Sequence, residues 1–164
     1  MVKIALISDT HGFIDESALA HLREADEIWH AGDIGNESVI KALPEGKTLR
    51  VVFGNIDGTD ARTQYREELF FEIEGVKVLM LHIGGTPPNY AKGVKSRIKL
   101  LNPDLFICGH SHICKVMFDS NLNCLYMNPG AIGKQGFHQI RTLLKFEIEA
   151  GKAKNLQVVE FGKK

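Results

Sequence analysis

Five apolar stretches of this chain each stop at a residue able to bind a metal ion. "KIALIS" (3–8) runs into Asp9-Thr10-His11, and "EIWHAG" (27–32) into Asp33. "LRVVFG" (49–54) runs into Asn55, "VKVLML" (76–81) into His82, and "DLFICG" (104–109) into His110-Ser111-His112. Short, nearly continuous apolar runs read as strands buried on both faces. In open α/β sheets, sites form outside the carboxyl ends of strands. If the five strands align, four histidines, two aspartates and an amide oxygen converge at one edge.

The segments between these runs set the fold. "ESALAHLREA" (16–25) has Leu19 and Leu22 at helical spacing, with Asp15 as N-cap. "ESVIKAL" (37–43) reads as a second helix that stops before Pro44. The first third is therefore βαβαβ, which implies a parallel sheet with right-handed crossovers. Then the rhythm changes. "ELFFEIEGVKVLMLH" (68–82) is a hairpin about Glu74-Gly75, "NYAKGVKSRIKLL" (89–101) is helical, and "CKVMF" and "CLYMN" are strands joined by "DSNLN". "TLLKFEIEAGKAKNLQVVEF" (142–161) is a last hairpin, with Leu144, Phe146 and Ile148 on one face and Lys145, Glu147 and Glu149 on the other. The second half is expected to be largely antiparallel. Two sheets packed face to face, with helices outside, follow.

Composition narrows the function classes. The 164 residues suit one domain, 1–164, with a substantial core. Twenty basic residues balance twenty acidic ones, so no strong nucleic-acid or membrane-surface signal is present. No apolar run approaches the ~20 residues of a membrane span. "MVKIALISDTHG" lacks the features of a signal peptide, and a cytoplasmic location is expected. Three cysteines in such a chain read as free thiols.

Mixed imidazole and carboxylate ligation suits Mn²⁺, Fe or Zn²⁺ better than Ca²⁺. Seven ligands exceed one tetrahedral zinc. They can serve two ions if a carboxylate bridges, and hydrolytic sites of that kind hold their ions about 3.5–4 Å apart. "CGHSHIC" (108–114) invites a different reading, a zinc knuckle. In an extended segment residues rise about 3.3 Å each, which puts Cys108 and Cys114 roughly 20 Å apart. The cysteines read instead as small hydrophobes in two strands. His110 and His112 can point the same way without them.

Taken together and in order, Asp9-x-His11, Gly32-Asp33, Gly54-Asn55, His82 and Gly109-His110-Ser111-His112 resemble the motifs of the calcineurin-like metallophosphoesterase superfamily. The resemblance is to its small bacterial and archaeal phosphodiesterases, and "NPGA" (128–131) resembles the turn they carry after the last histidine motif. It implies a four-layer α/β/β/α sandwich of two mixed sheets flanked by helices. It also implies a dinuclear centre, commonly with Mn²⁺ and alternatively with Zn²⁺, Fe or Ni²⁺. By position, Asp9, His11, Asp33 and His112 would hold one ion. Asp33 would bridge, and Asn55, His82 and His110 would complete the second.

The implied activity is hydrolysis of a small phosphate ester, by in-line attack of a metal-bridging hydroxide. Asp33, Asn55 and His110 are the residues given catalytic roles. Two departures from the family pattern stand out. Ile56 occupies the place where many members have a histidine that helps protonate the leaving group, and Ile83 is inserted after His82. Asp57 is a candidate to orient His11. Lys134, His138 and Arg141 are candidates to bind substrate phosphate or to supply the missing proton. His30 reads as structural and His21 as solvent-facing. The alternatives are a catalytically weak metal-binding scaffold, like the retromer subunit of this fold, and a phosphomonoesterase. Relatives often self-associate, so a homo-oligomer is a further expectation.

Overall fold

The structure is a computed structural model and describes residues 1–163. The apolar runs become strands whose alternate residues face opposite layers. In β1 (Val2–Ile7), Ile4 and Leu6 point into the core between the sheets, while Ala5 and Ile7 pack against α1 (Glu16–Arg23). In β5 (Val76–Leu81), Val78 and Met80 face the same inner core, and Leu79 packs outward against Val94 and Ile98 of α4 (Val94–Leu101). Both faces are buried, which is why these strands read as unbroken apolar runs.

The first sheet also contains β2 (Glu27–His30), β3 (Thr48–Val51), β11 (Ile140–Glu149) and β12 (Lys152–Lys163), in the order β12-β11-β1-β2-β3. The second contains β4 (Glu68–Ile73), β5, β8 (Leu105–Ile107), β9 (Cys114–Asp119) and β10 (Cys124–Pro129), in the order β4-β5-β8-β10-β9. Both sheets are mixed. β1, β2 and β3 are parallel, as the βαβαβ pattern requires. β11 adds antiparallel to β1, with Leu144 opposite Leu6 and Ile148 opposite Val2. Trp29 of β2 sits in the inner core, edge-on to Phe71 of β4 and Phe146 of β11. The four layers are thus helix, sheet, sheet, helix.

The second half is less antiparallel than its hairpins suggest. β5, β8 and β10 run parallel at the centre of their sheet, and only the outer strands are antiparallel. The crossover helix α4 returns the chain from β5 to β8, which makes the parallel pairing. The helix expected over 89–101 also starts later. Asn89–Tyr90 form a short strand, β7, against β6 (Gly85–Thr86), and α4 begins after Gly93. Tyr90 is held there by its hydroxyl, which donates to Asp119 at 2.6 Å. Two short helices, α2 (Glu37–Ala42) and α3 (Thr59–Gln64), follow β2 and β3. α3 has no buried residue, so no apolar periodicity marked it in the sequence.

Asp15 caps α1 as expected, accepting from the amide of Ala18 at 3.1 Å. His21 is not solvent-facing: it is half-buried, edge-on to Phe161 of β12. All three cysteines are free thiols. Burial pushes the Cys108 thiol up to about 11, which leaves it inert at neutral pH. No helix among the described residues is long and apolar enough to cross a membrane.

Candidate metal centre

β1, β2, β5 and β8 end at one edge, and their following residues turn sharply there. Asp9, His11, Asp33, His110 and His112 all have left-handed backbone, with φ between 46° and 69°. Non-glycine residues adopt this region at a cost, and such residues cluster at functional sites. The turns are held from below. The amides of Asp9, His11 and Gly12 donate to the carbonyls of Gly32, Asp33 and Ile34, lacing the first two loops together. Gly109 admits the close approach of the GHSH loop, because a Cβ there would meet Ser8 Oγ at 2.0 Å.

The result is two groups of donors. Asp9, His11 and His112 form one, and Asp33, His82 and His110 the other, with the ligand atoms of each group within 4.8 Å of one another. His112 Nε2 lies 3.1 Å from Asp9 Oδ1 and 3.3 Å from His11 Nε2. His82 Nε2 lies 3.2 Å from Asp33 Oδ1. Two donors bound at about 2.1 Å to one ion stand about 3.0–3.4 Å apart, so these spacings are those of ligand pairs. Asp33 faces both groups: Oδ1 toward His82, Oδ2 toward His11 at 3.7 Å. Asn55 is exposed at the mouth. It lines a cleft of about 360 Å³ together with His82, Arg62 and Lys92.

The polar bookkeeping tests whether cations fit. Asp9 Oδ2 is satisfied by Ser8 Oγ at 2.7 Å and the His110 amide at 3.1 Å. Asp9 Oδ1 and His82 Nε2 are buried and lack any hydrogen-bond partner. An unpaired buried carboxylate oxygen is costly, and a cation relieves that cost. Both orphaned atoms point into the donor groups, so the residues fit metal ions. Burial raises the Asp9 pKa, but the His11, His112 and His82 rings that face it outweigh burial and hold the carboxyl well below the usual range. Asp9 in turn raises the His11 pKa. Burial lowers His82, and Asp33 and Asp9 more than offset it.

Supporting side chains set ring orientation. His82 Nδ1 donates to the Ala31 carbonyl at 2.7 Å, which leaves Nε2 as the atom that could hold an ion. His30 neighbours the Asp33 turn, yet its contacts are structural. It is fully buried, it is held neutral by burial that pushes its pKa down to about 4, and it links Thr10 Oγ1 to the Gly32 amide. Asn128 braces the GHSH loop by donating to the Gly109 carbonyl at 2.8 Å and to Ser111 Oγ at 3.1 Å.

Other expectations are corrected. Asp57 does not reach toward His11. Its carboxylate accepts from the amides of Ile34, Gly35 and Gly54, tying the Asp33 loop to the Asn55 loop, because a buried carboxylate needs donors and three amides converge there. Arg141 does not face substrate. It is buried, bonded to the Ile132 carbonyl and paired with Asp15 through both terminal nitrogens. Lys134 is exposed, with Nζ 4.5 Å from the centre of the Phe13 ring. His138 is brought to the site, 3.2 Å from His112. Arg62 was not anticipated. It donates to the carbonyls of Asp57, Gly54 and Asn55 and so shapes the Asn55 loop. Its place on a short exposed helix gave no local signal.

Comparison with known proteins agrees with this geometry. Residues 2–151 match the model of the calcineurin-like phosphoesterase superfamily domain. A probable metallophosphoesterase of Mycoplasma pneumoniae is 29% identical over 137 residues, covering 80% of each chain. An archaeal phosphodiesterase superposes with a TM-score of 0.75 at 21% identity, over 97% of this chain and 99% of its own. Zinc-complexed Vps29 from Entamoeba histolytica superposes with a TM-score of 0.74 at 17% identity, over 96% of this chain and 98% of its own. The family match spans most of the sequence and includes every donor of both groups, and the chain belongs to the calcineurin-like phosphoesterase superfamily.

Proposed function

We propose that this protein is a metal-dependent phosphodiesterase acting on a small phosphate ester, with a dinuclear centre. The observation that carries the reading is the pair of donor groups facing each other across Asp33. The archaeal phosphodiesterase of the same fold supports it. Mn²⁺ is the proposed occupant, on the mixed nitrogen and oxygen donor set. Two divalent ions would draw charge from phosphoryl oxygens and lower the pKa of a water molecule that attacks phosphorus.

The chain's own contribution is charge and placement. Asp9 and Asp33 bring only two negative charges against two divalent ions, so the mouth favours an anionic substrate. His110 and Asn55 are the exposed members of the set, and in this reading they meet a phosphate oxygen entering from solvent. Exposed Ile56 stands where the family pattern has a histidine, so this position supplies no proton to the leaving group. Esters whose alcohol leaves without protonation are the favoured substrates. We place the reaction in the cytoplasm.

The test is hydrolysis of bis-p-nitrophenyl phosphate by chelator-treated protein, with and without Mn²⁺, beside Asp33→Ala. Activity that requires metal and disappears in Asp33→Ala is the expected result. Two ions bound per chain with no hydrolysis of any mono- or diester would favour a second reading, a binding scaffold. That reading has one observation behind it: exposed Ile56 stands where the family pattern has a histidine that helps protonate the leaving group.

A further inference from the structure

We propose that His138 fixes the tautomer of His112, so that the Nε2 lone pair of His112 is presented to the first metal ion. This makes His138 a positioning residue of the proposed metal centre, on which the inference rests. The argument runs through which atoms can donate. His138 Nε2 lies 2.8 Å from the Gly133 carbonyl oxygen. A carbonyl only accepts, so Nε2 carries the hydrogen. In a neutral ring Nδ1 is then the acceptor. It sits 3.2 Å from His112 Nδ1, which must donate. His112 is thereby protonated on Nδ1 and has its lone pair on Nε2. That Nε2 is the atom 3.1 Å from Asp9 Oδ1 and 3.3 Å from His11 Nε2.

The surrounding chain is shaped for this bond. The two rings meet edge-on, with centroids 5.0 Å apart and planes at 77°. Gly133 is itself anchored, its amide donating to the Asp9 carbonyl at 3.1 Å. The loop therefore ties His138 to the same strand end that supplies Asp9. Gly136 closes over the pair with φ 119°, and a Cβ there would meet His112 Nδ1 at 2.1 Å. His82 solves the same problem with a backbone carbonyl, that of Ala31. His112 lies on the opposite side of the centre, where the chain uses a second imidazole. Partners of this kind hold metal-ligating histidines in one tautomer, and their loss typically costs about 10–100-fold in metal affinity.

The experiment has two arms on the full chain. Long-range ¹H–¹⁵N correlation spectra of labelled protein show which nitrogen of His112 carries hydrogen. In metal-free and Zn²⁺-loaded wild type, Nδ1–H is expected, and in metal-free His138→Leu the Nε2–H form should emerge. Zn²⁺ titration should show one of two sites weakened about 10–100-fold in His138→Leu. His138→Gln, whose side-chain oxygen can accept the same bond, should stay close to wild type. Wild-type His112 protonated on Nε2 in the metal-free protein would overturn the proposal. So would His138→Gln falling as far as His138→Leu. Failure of wild type to bind Zn²⁺ would count against the metal centre itself, and the metal-free spectrum would still decide the tautomer.

Discussion

Gly54 and Ile56 show how tightly single residues bound this centre. A side-chain carbon on Gly54 would stand 2.0 Å from Asp33 Oδ1 and 2.3 Å from the Asp33 backbone nitrogen. Backbone cannot swing aside, so Asp33 would have to move. Gly54→Ala is expected to lose about 1–3 kcal/mol of stability to overpacking, and about 10-fold or more in divalent-ion affinity through the displaced carboxylate. Calorimetric titration of Mn²⁺ checks it, and wild-type affinity would mean that Asp33 is not a ligand in this geometry. In the proposed reaction, Ile56 bears on the leaving group. Its amide holds Asp33 Oδ1 at 3.1 Å, and its side chain is 46% exposed at the mouth. Aryl diesters should therefore be cleaved much faster than alkyl diesters. Ile56→His should narrow that gap by raising alkyl turnover toward the lower end of the ~10²–10⁴-fold that general acids supply. The readout is the ratio of kcat/KM for the two ester types. A ratio that does not move would show that protonation at this position is not what limits alkyl esters.

The elements carry a second kind of information, in what they join. α1 is preceded by Asp15, whose carboxylate caps the helix and also pairs with Arg141 of β11 at 2.8 and 2.9 Å. Burial pushes Asp15 up, but Arg141, Ser17 and the Ala18 amide bring its pKa down to about 2, from an ordinary value of 3.8. A depressed carboxylate contributes stability above its unfolded pKa and loses it as pH falls through the folded one. Asp15→Asn keeps a good cap while removing the charge. It should cost about 1 kcal/mol at pH 7, a figure reduced because the side chain is one-third exposed. The cost should shrink between about pH 4 and pH 2. Urea unfolding of both proteins across that range tests it, and a cost independent of pH would mean that packing, not charge, joins the two elements. Half of this pairing was legible in the sequence. Asp15 stands directly before a helical apolar pattern, so its capping role is local. Arg141 lies 126 residues away, and only the β11–β1 pairing brings it there. The same division holds at the centre. The six residues of the two candidate donor groups could be picked out because buried strands are visible as apolar runs and their ends lie at one edge. The left-handed turns, the Asp57 carboxylate across two loops and the His138–His112 bond depend on how loops from different strands meet, and no local pattern encodes that.

At the scale of the molecule, each donor group draws on both sheets. Asp9 and His11 follow β1 in the first sheet, while His112 follows β8 in the second. Asp33 follows β2 in the first, and His82 and His110 follow β5 and β8 in the second. An ion in either group would therefore bridge the sheets at one edge, above a core in which Ile4, Leu6 and Trp29 of one sheet pack with Met80, Leu105 and Ile107 of the other. Binding energy that exists only when the sheets are together adds to folding stability. At 100 times its dissociation constant, an ion adds about 2.7 kcal/mol per site. For a chain of this size each 1 kcal/mol moves the melting temperature by about 2–4 °C, so Mn²⁺ at one site should raise it by about 5–10 °C. Trp29 offers a built-in probe, since it is the chain's one tryptophan and lies between the sheets. Its fluorescence should report the same upward shift as far-UV circular dichroism, and chelator should reverse both. His112→Ala should lose the part of the shift that belongs to the first group while keeping the rest, because its removal leaves Asp33, His82 and His110 in place. Should Mn²⁺ bind and yet leave the Trp29 transition unmoved, the unfolded chain would hold the ions as tightly, and a site assembled from both sheets would be wrong.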